Sequence, residues 1–325
     1  MTPKERLNQR FAKDFNLPIS IFDEEMFEYY HELYKDIWPE EEWTALNKEI
    51  MQDYNGNFEA WLQHYAEVRD KIITTILESP TYNNFNNCNM SVYELPKEVK
   101  ALSIPDRTSY TQEYEGHRYL SIDLKKANFQ ALVYADVLDD KSYEDLISKF
   151  DNSFYFKKSK YTRQVIFGKL NPKRTTTVEK FIMANIFKYL SLQSRYDTVI
   201  ASNKGICKPF SFKTDEFIWE VTGDITEADL EKLTHVLQES FGYSVRCEYY
   251  KIEKLPIFNN NNVSIPAFVR TNLITGEQVL KSVSSVYYAQ VYKLWKGIPI
   301  VDKDLLFWYE EQVASFVHPL KIEEK

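Results

Sequence analysis

The sequence predicts an α+β protein in which an antiparallel sheet is backed by helices, and three stretches carry that expectation. "FSFKTDEFIWEV" (210–221) alternates along two arms in the manner of a half-buried antiparallel pair. "EADLEKLTHVLQESFGY" reads as a helix capped by Thr226 and ended by Gly242, after which "SVRCEYYKIEKL" returns as a strand. "AFVRTNLITGEQVLKSV" is a further hairpin around Thr275-Gly276.

From the N-terminus, residues 1–80 read as a helical subdomain. "FDEEMFEYYHELYKDIW" and "NFEAWLQHYAEVRDKIITTILES" repeat apolar residues at helical spacing, with breaks at Pro39 and Asn55-Gly56. The Asn-rich "TYNNFNNCN" (81–89) marks a boundary, and residues 90–255 follow as a core of short strands and helices. Within it, "TSYTQEYEGHRYLSIDL" predicts a hairpin turning at Glu115-Gly116. Its second arm sends Leu120, Ile122 and Leu124 one way, and Tyr119, Ser121 and Asp123 to a polar face. A helix over about 126–138 comes next. A basic insertion at about 150–175 contains "FKKSKYTRQVIFGKLNPKR", with no acid between Asp151 and Glu179. If 158–168 is helical, Ser159, Arg163 and Phe167 share one face. Pro172 stops that helix, and Thr176 with Glu179 offers a capping box for the next. Residues 256–325 hold the last hairpin and helices at 285–296 and 302–317.

The acids in the first hairpin raise a question of their own. A two-residue turn at Asp215 and Glu216 places Phe210, Phe212, Phe217, Trp219 and Val221 on one face. Ser211, Lys213, Ile218 and Glu220 take the other. Asp-Glu is a poor pair for a tight tip, which favours residues tolerant of positive φ. Taken alone it is an ordinary solvated loop tip.

With 325 residues, 44% hydrophobic and 15% aromatic, the chain is long and apolar enough for a substantial core. The 23 Tyr and 21 Phe against 8 Gly, with Asn clusters, suggest an AT-rich genome such as that of many phages. A net charge of −8 does not advertise a polyanion binder, and leaves room only for a segregated basic patch. Cys88, Cys207 and Cys247 are too scattered for a disulfide framework or a Cys-rich zinc site, and the five histidines show no metal-ligand spacing. Gly-rich phosphate loops, G-x-S-x-G and H-E-x-x-H are absent. No apolar run approaches ~18 residues and no signal-peptide core opens the chain, so a soluble, cytoplasmic protein without a membrane partner is expected.

Three elements stand in order: a strand ending in Asp123, a basic helix with Arg163 and Phe167, and a hairpin tipped by Asp215-Glu216. This order resembles that of palm-domain nucleotide polymerases, over about residues 117–225. "SIDLKKANFQAL" resembles the first catalytic motif of reverse transcriptases and of A-family DNA polymerases. "RQVIFGKLN" resembles the A-family fingers helix, with Arg163 in place of its Lys, Phe167-Gly168 matching and Asn171-Pro172 replacing Tyr-Gly. "TDEFIWEV" is similar to the third A-family motif, with Thr214 in place of His. The A-family acid five residues after the first Asp is Asn128 here, and the compact spacing is closer to a reverse-transcriptase-like palm.

The resemblance implies a palm-like core with a fingers-like insertion, and nucleotidyl transfer by a two-metal mechanism using Mg²⁺ or Mn²⁺. Asp123 and Asp215 would be the metal ligands, with Glu216 assisting from behind them. Lys160, Arg163 and Lys169 would meet the triphosphate, Phe167 would pack on the nucleotide, and Asn128 would lie near the sugar. Lys125 and Lys126 would stand just past the ligand, within reach of phosphate. Nucleoside triphosphates and nucleic acid would be the partners, with a protein partner also open. Two other readings stay open. One is a non-catalytic α+β module that binds nucleic acid or protein; the other is a palm-type nucleotide cyclase, since "TDEFIWEV" also resembles the Gly-Gly-Asp-Glu-Phe signature of diguanylate cyclases without its glycines.

Overall fold

A computed structural model describes residues 1–193 and 207–323. Residues 194–206, inside the expected 90–255 core, residues 324–325, and the side chains of Leu192, Gln193 and Cys207 lie outside the described part.

The N-terminal helices are α1 (Pro3–Asp14), α2 (Glu24–Leu33), α3 (Glu40–Asp53), α4 (Phe58–Leu77), α5 (Pro80–Asn87) and the short α6 (Lys97–Ala101). In α4 the cap is Asn57, whose side chain accepts from the Ala60 N–H, and Trp61, Tyr65, Val68, Ile72 and Ile76 make one buried stripe. The Asn-rich segment is helical: Ser79 caps a helix that runs through it, and Tyr82 and Phe85 are buried. One contiguous set of buried side chains runs from Leu7 to Leu320, so the N-terminal helices and the sheet share a core.

The centre of the molecule is a six-stranded antiparallel sheet. Its strands are β1 (Arg118–Leu124), β2 (Cys207–Phe212), β3 (Glu216–Val221), β4 (Val245–Lys254), β6 (Phe268–Asn272) and β7 (Gln278–Lys281), β5 being the short Ile257–Phe258 outside it. The spatial order is β2-β3-β1-β4-β6-β7. Between β1 and β2 lie α7 (Ala127–Tyr134), α8 (Tyr143–Ser148), α9 (Phe154–Lys158), α10 (Lys160–Gly168) and α11 (Pro172–Lys188); α12 (Glu227–Phe241) joins β3 to β4. The first four strands and their connections therefore form a β-α-β-β-α-β unit, a split βαβ arrangement. Helices cover one face, where Phe187 of α11 stacks on Phe217 at 4.3 Å. Thr226 and Asp229 close a capping box on α12 and Gly242 ends it at φ 73. Thr226→Ala is expected to cost about 1 kcal/mol, read as a lower urea midpoint at unchanged slope.

Several sequence expectations are corrected. The first arm of the 108–124 hairpin is not a strand: Arg107 donates its N–H to Ser211 Oγ at 3.1 Å and Gly116 bonds to Ile252, so the segment straps across the sheet's second face. That face is not simply polar, since Tyr119, Phe210, Ile218, Tyr250, Ile252 and Phe268 form a smaller core there. Phe210 belongs to it, not to the Phe212, Phe217, Trp219 and Val221 face, because a bulge between Pro209 and Ser211 turns it over. The helix expected over about 126–138 is shorter, since α7 ends at Tyr134. Pro172 does not stop a helix; it opens α11 as its first residue, which leaves Thr176 and Glu179 inside the helix and forms no capping box there. Residues 302–317 are not helical. After a 3₁₀ turn they make the hairpin of β8 (Leu306–Tyr309) and β9 (Gln312–Ser315), joined by Glu310 and Glu311, both at positive φ. Helix α13 (Ser285–Lys296) precedes it and β10 (Lys321–Ile322) pairs with β5. Among the described residues no helix is long and apolar enough to cross a membrane.

Candidate active site

The antiparallel pairing of β1 with β3 and β4 decides which side chains meet at the C-terminal end of β1. Asp123 stands opposite Glu216 on one neighbour and Arg246 on the other. The hairpin tip falls one residue earlier than expected: Lys213 N–H donates to the Glu216 carbonyl at 2.9 Å, so Thr214 and Asp215 are the turn and Glu216 begins β3. Neither turn residue takes a positive φ, which removes the need for glycine. The Leu124 N–H donates to the Asp215 carbonyl at 2.9 Å and carries the β1–β3 ladder onto the turn. Asp123 and the Asp215-Glu216 doublet are thus brought to one end of the sheet.

The two acids of the doublet differ in company. Glu216 accepts from Ser121 Oγ at 2.6 Å and pairs with Lys213 at 3.0 Å. For the half-buried Asp215 carboxylate no hydrogen bond or ion pair is found among the described residues. Asp123 pairs with Arg246 at 3.0 Å. Burial pushes Asp123 up to about 6, Arg246 opposes this, and the charges of Asp215, Glu216 and Glu248 add to the rise. Glu179 of α11, which the sequence reading treated as a capping residue, is pushed up to about 7 by burial and then by Asp215, against the hydrogen bond from Asn128 Nδ2. Asp215 is the charge common to both shifts. Separate elements therefore bring Asp123 and Glu179 each within electrostatic reach of Asp215.

Carboxylate oxygens on separate elements are the donors that Mg²⁺ and Mn²⁺ take, and a divalent cation would offset the repulsion from Asp215 that adds to burial in raising Asp123 and Glu179. In donor chemistry the set fits. Among the described residues, however, no group of three or more His, Cys, Asp or Glu is arranged as a metal cage. Asp123 is drawn to Arg246, and Glu216 to Lys213 and Ser121.

A chain of charges continues across this face. Arg246 Nε is 3.5 Å from Glu248, Glu248 pairs with Arg270, and the Arg270 guanidinium lies 3.9 Å over the Tyr250 ring. Lys281 of β7 is held below the usual lysine range by burial, then by Arg270, with Arg246 and Lys160 adding to it. Lys160, the first residue of α10, is therefore within electrostatic reach of Lys281. Loss of the pair in Arg246→Ala is expected to move Asp123 above about 6, read by carboxyl-carbon NMR titration. Because the Arg246 side chain is 55% exposed, stability should change by less than about 1 kcal/mol.

The other candidate nucleotide contacts divide. Arg163 is half-buried, with its guanidinium 5.5 Å over the Tyr143 ring, and burial lowers its pKa. Phe167 is 1% exposed and packs between Phe129 and Tyr143, so it is a core residue with no open face for a nucleotide. Lys169 ends α10 within electrostatic reach of Asp70 on α4, at the other end of the helix from Lys160. The side-chain amide of Asn128 is spent on Glu179. Behind α10, Tyr65 Oη and Thr162 Oγ1 are 2.7 Å apart, and α4 fixes the helix from its buried side.

Sequence reading missed Glu179, Arg246, Glu248, Arg270 and Lys281. The alternation of Arg246, Glu248 and Tyr250 places them on one face of their strand, and only the pairing of β4 with β1 makes it the face of Asp123. Glu179 offered a usable signal, as the first acid after a long basic run. Comparison of the chain with protein-family models, curated proteins and solved structures finds no match.

Proposed function

We propose that the chain is a polymerase-like nucleotidyltransferase that uses Mg²⁺ or Mn²⁺ to act on nucleoside triphosphates and nucleic acid. The observation that carries this reading is the meeting of Asp123 with Asp215-Glu216 at one end of a split βαβ sheet. That strand order supports a palm-like core, and Lys160 within electrostatic reach of Lys281 supports a fingers-like role for α10.

Asp123 and Asp215 would hold the cations, with Glu179 a third carboxylate nearby. Bound metal would supply Lewis-acid stabilisation of the transferring phosphoryl group. The chain's own cations, Lys160, Arg246 and Lys281, would attract and orient the triphosphate on this face, while Asn128 fixes Glu179 and α4 holds α10 in place. Incorporation of labelled nucleotide on a primer-template in Mg²⁺ or Mn²⁺ is the expected result. Formation of a small cyclic product without primer would instead favour a cyclase.

A second reading is a non-catalytic nucleic-acid-binding module. It is favoured by the Asp123–Arg246 and Glu216–Lys213 pairs, which neutralise two of the acids without metal, and by the burial of Phe167. Binding of nucleic acid without any metal-dependent incorporation would select it.

A further inference from the structure

We propose that the cleft between α7 and the C-terminal end of α12 binds single-stranded nucleic acid, with phosphate on Lys125 and Lys141 and bases on Tyr134 and Tyr243. The cleft has a volume of about 650 Å³. None of Asp123, Glu179, Asp215 or Glu216 lines it, so it is separate from the carboxylates although Lys125 follows Asp123 by two residues.

Its walls are fixed. Gln130 donates to the Ser244 carbonyl at 2.7 Å and accepts from the Ser244 N–H at 2.9 Å, clamping α7 to the start of β4. Lys125 N–H bonds to the Ser244 carbonyl at 3.0 Å on the same junction. Lys126, at φ 52, is committed to Glu144.

Its charge is complementary to a polyanion. Lys125 and Lys141 are exposed and make no ion pair with any described residue, and Asp136 is the only acid among the described lining residues. Its apolar part is aromatic: Tyr134 and Tyr243 stand at 6.0 Å, and Phe241 stacks on Tyr243 at 6.1 Å. Tyr134 is 40% exposed and lines the cleft together with the two lysines.

The length of the feature favours a strand over a mononucleotide. Tyr134, Phe241 and Tyr243 also wall a second cavity of about 420 Å³ that runs on towards Asn185 and Tyr189. Two cavities in series on one aromatic partition suit consecutive bases, and stacking with backbone cations is how single strands are held without sequence preference. A duplex buries its base faces and cannot use that partition.

The inference does not depend on catalysis, because its test contains neither metal nor triphosphate. A fluorescent 12-nucleotide oligo(dT) is titrated with the full chain and followed by anisotropy over a salt series. Saturable binding is expected, weakened about tenfold in Tyr134→Ala. Lys125→Glu/Lys141→Glu should weaken it further and reduce the log–log salt slope by about 1.4, two phosphates at 0.7 each. Unchanged melting temperatures would assign these losses to the cleft. The inference is overturned if the wild-type chain does not bind, if the lysine variant binds as the wild type does, or if a 12-base-pair duplex or dTMP binds as tightly as the single strand.

Discussion

Asp215→Asn is expected to lower metal-dependent nucleotide incorporation by about three orders of magnitude while leaving the fold at least as stable as the wild type. The activity loss follows from removing the one acid of the doublet without a partner among the described residues, the group best placed to hold a cation. A cation that stabilises developing charge by several kcal/mol is worth that factor, at 1.36 kcal/mol per tenfold. The stability effect has the opposite sign because Asp215 raises both Asp123 and Glu179. Its neutral replacement should add about 1 kcal/mol at pH 8. Urea unfolding at pH 8 beside an incorporation assay separates the two effects. A variant that loses activity and stability together would mean that Asp215 is structural.

Glu179→Gln is expected to stabilise the protein at pH 8 and to leave it unchanged at pH 4. Glu179 rises from 4.5 to about 7 on folding, so between those values the native state keeps a proton that the unfolded chain has released. The native state binds more protons there, and stability falls as pH rises through the window. Below 4.5 both states are protonated and the penalty vanishes. Above about 7 it is complete, at up to about 3 kcal/mol for a group this buried. Glutamine keeps an oxygen to accept from Asn128 and carries no charge, so the gain should appear only above the window. Denaturant midpoints between pH 4 and pH 8 measure it. A variant less stable than the wild type at pH 8 would contradict the burial of an uncompensated carboxylate.

The sheet was legible where alternation and caps agreed: the 210–221 hairpin, the helix from Thr226 to Gly242, the returning strand and the Thr275-Gly276 hairpin all stand in the structure. It was not legible where the backbone departed from its usual residues. Glu310 and Glu311 make a hairpin turn at positive φ with no glycine to announce it, and the apolar residues around them mimicked helical spacing. The Pro209–Ser211 bulge inverted Phe210 with no mark in the composition. At the candidate site, Asp123 and the doublet could be named from order along the chain. Their neighbours could not be placed there from sequence alone, because Arg246 and Glu248 come to Asp123, and Arg270 to Glu248, only through strand pairing, and Glu179 comes to Asp215 only through the packing of α11. Phe167 was misjudged for a related reason: a helix face has an inside and an outside, and the N-terminal helices that make this one the inside share no motif with it.

Titration of the protein with Mn²⁺ at pH 7.5, read by electron paramagnetic resonance of the free ion, bears most directly on whether Asp123 and Asp215 hold a common cation. Saturable binding that disappears in both Asp123→Asn and Asp215→Asn is the expected result. Binding that is absent from the wild-type chain, with triphosphate present or not, or that survives in either variant, would contradict it.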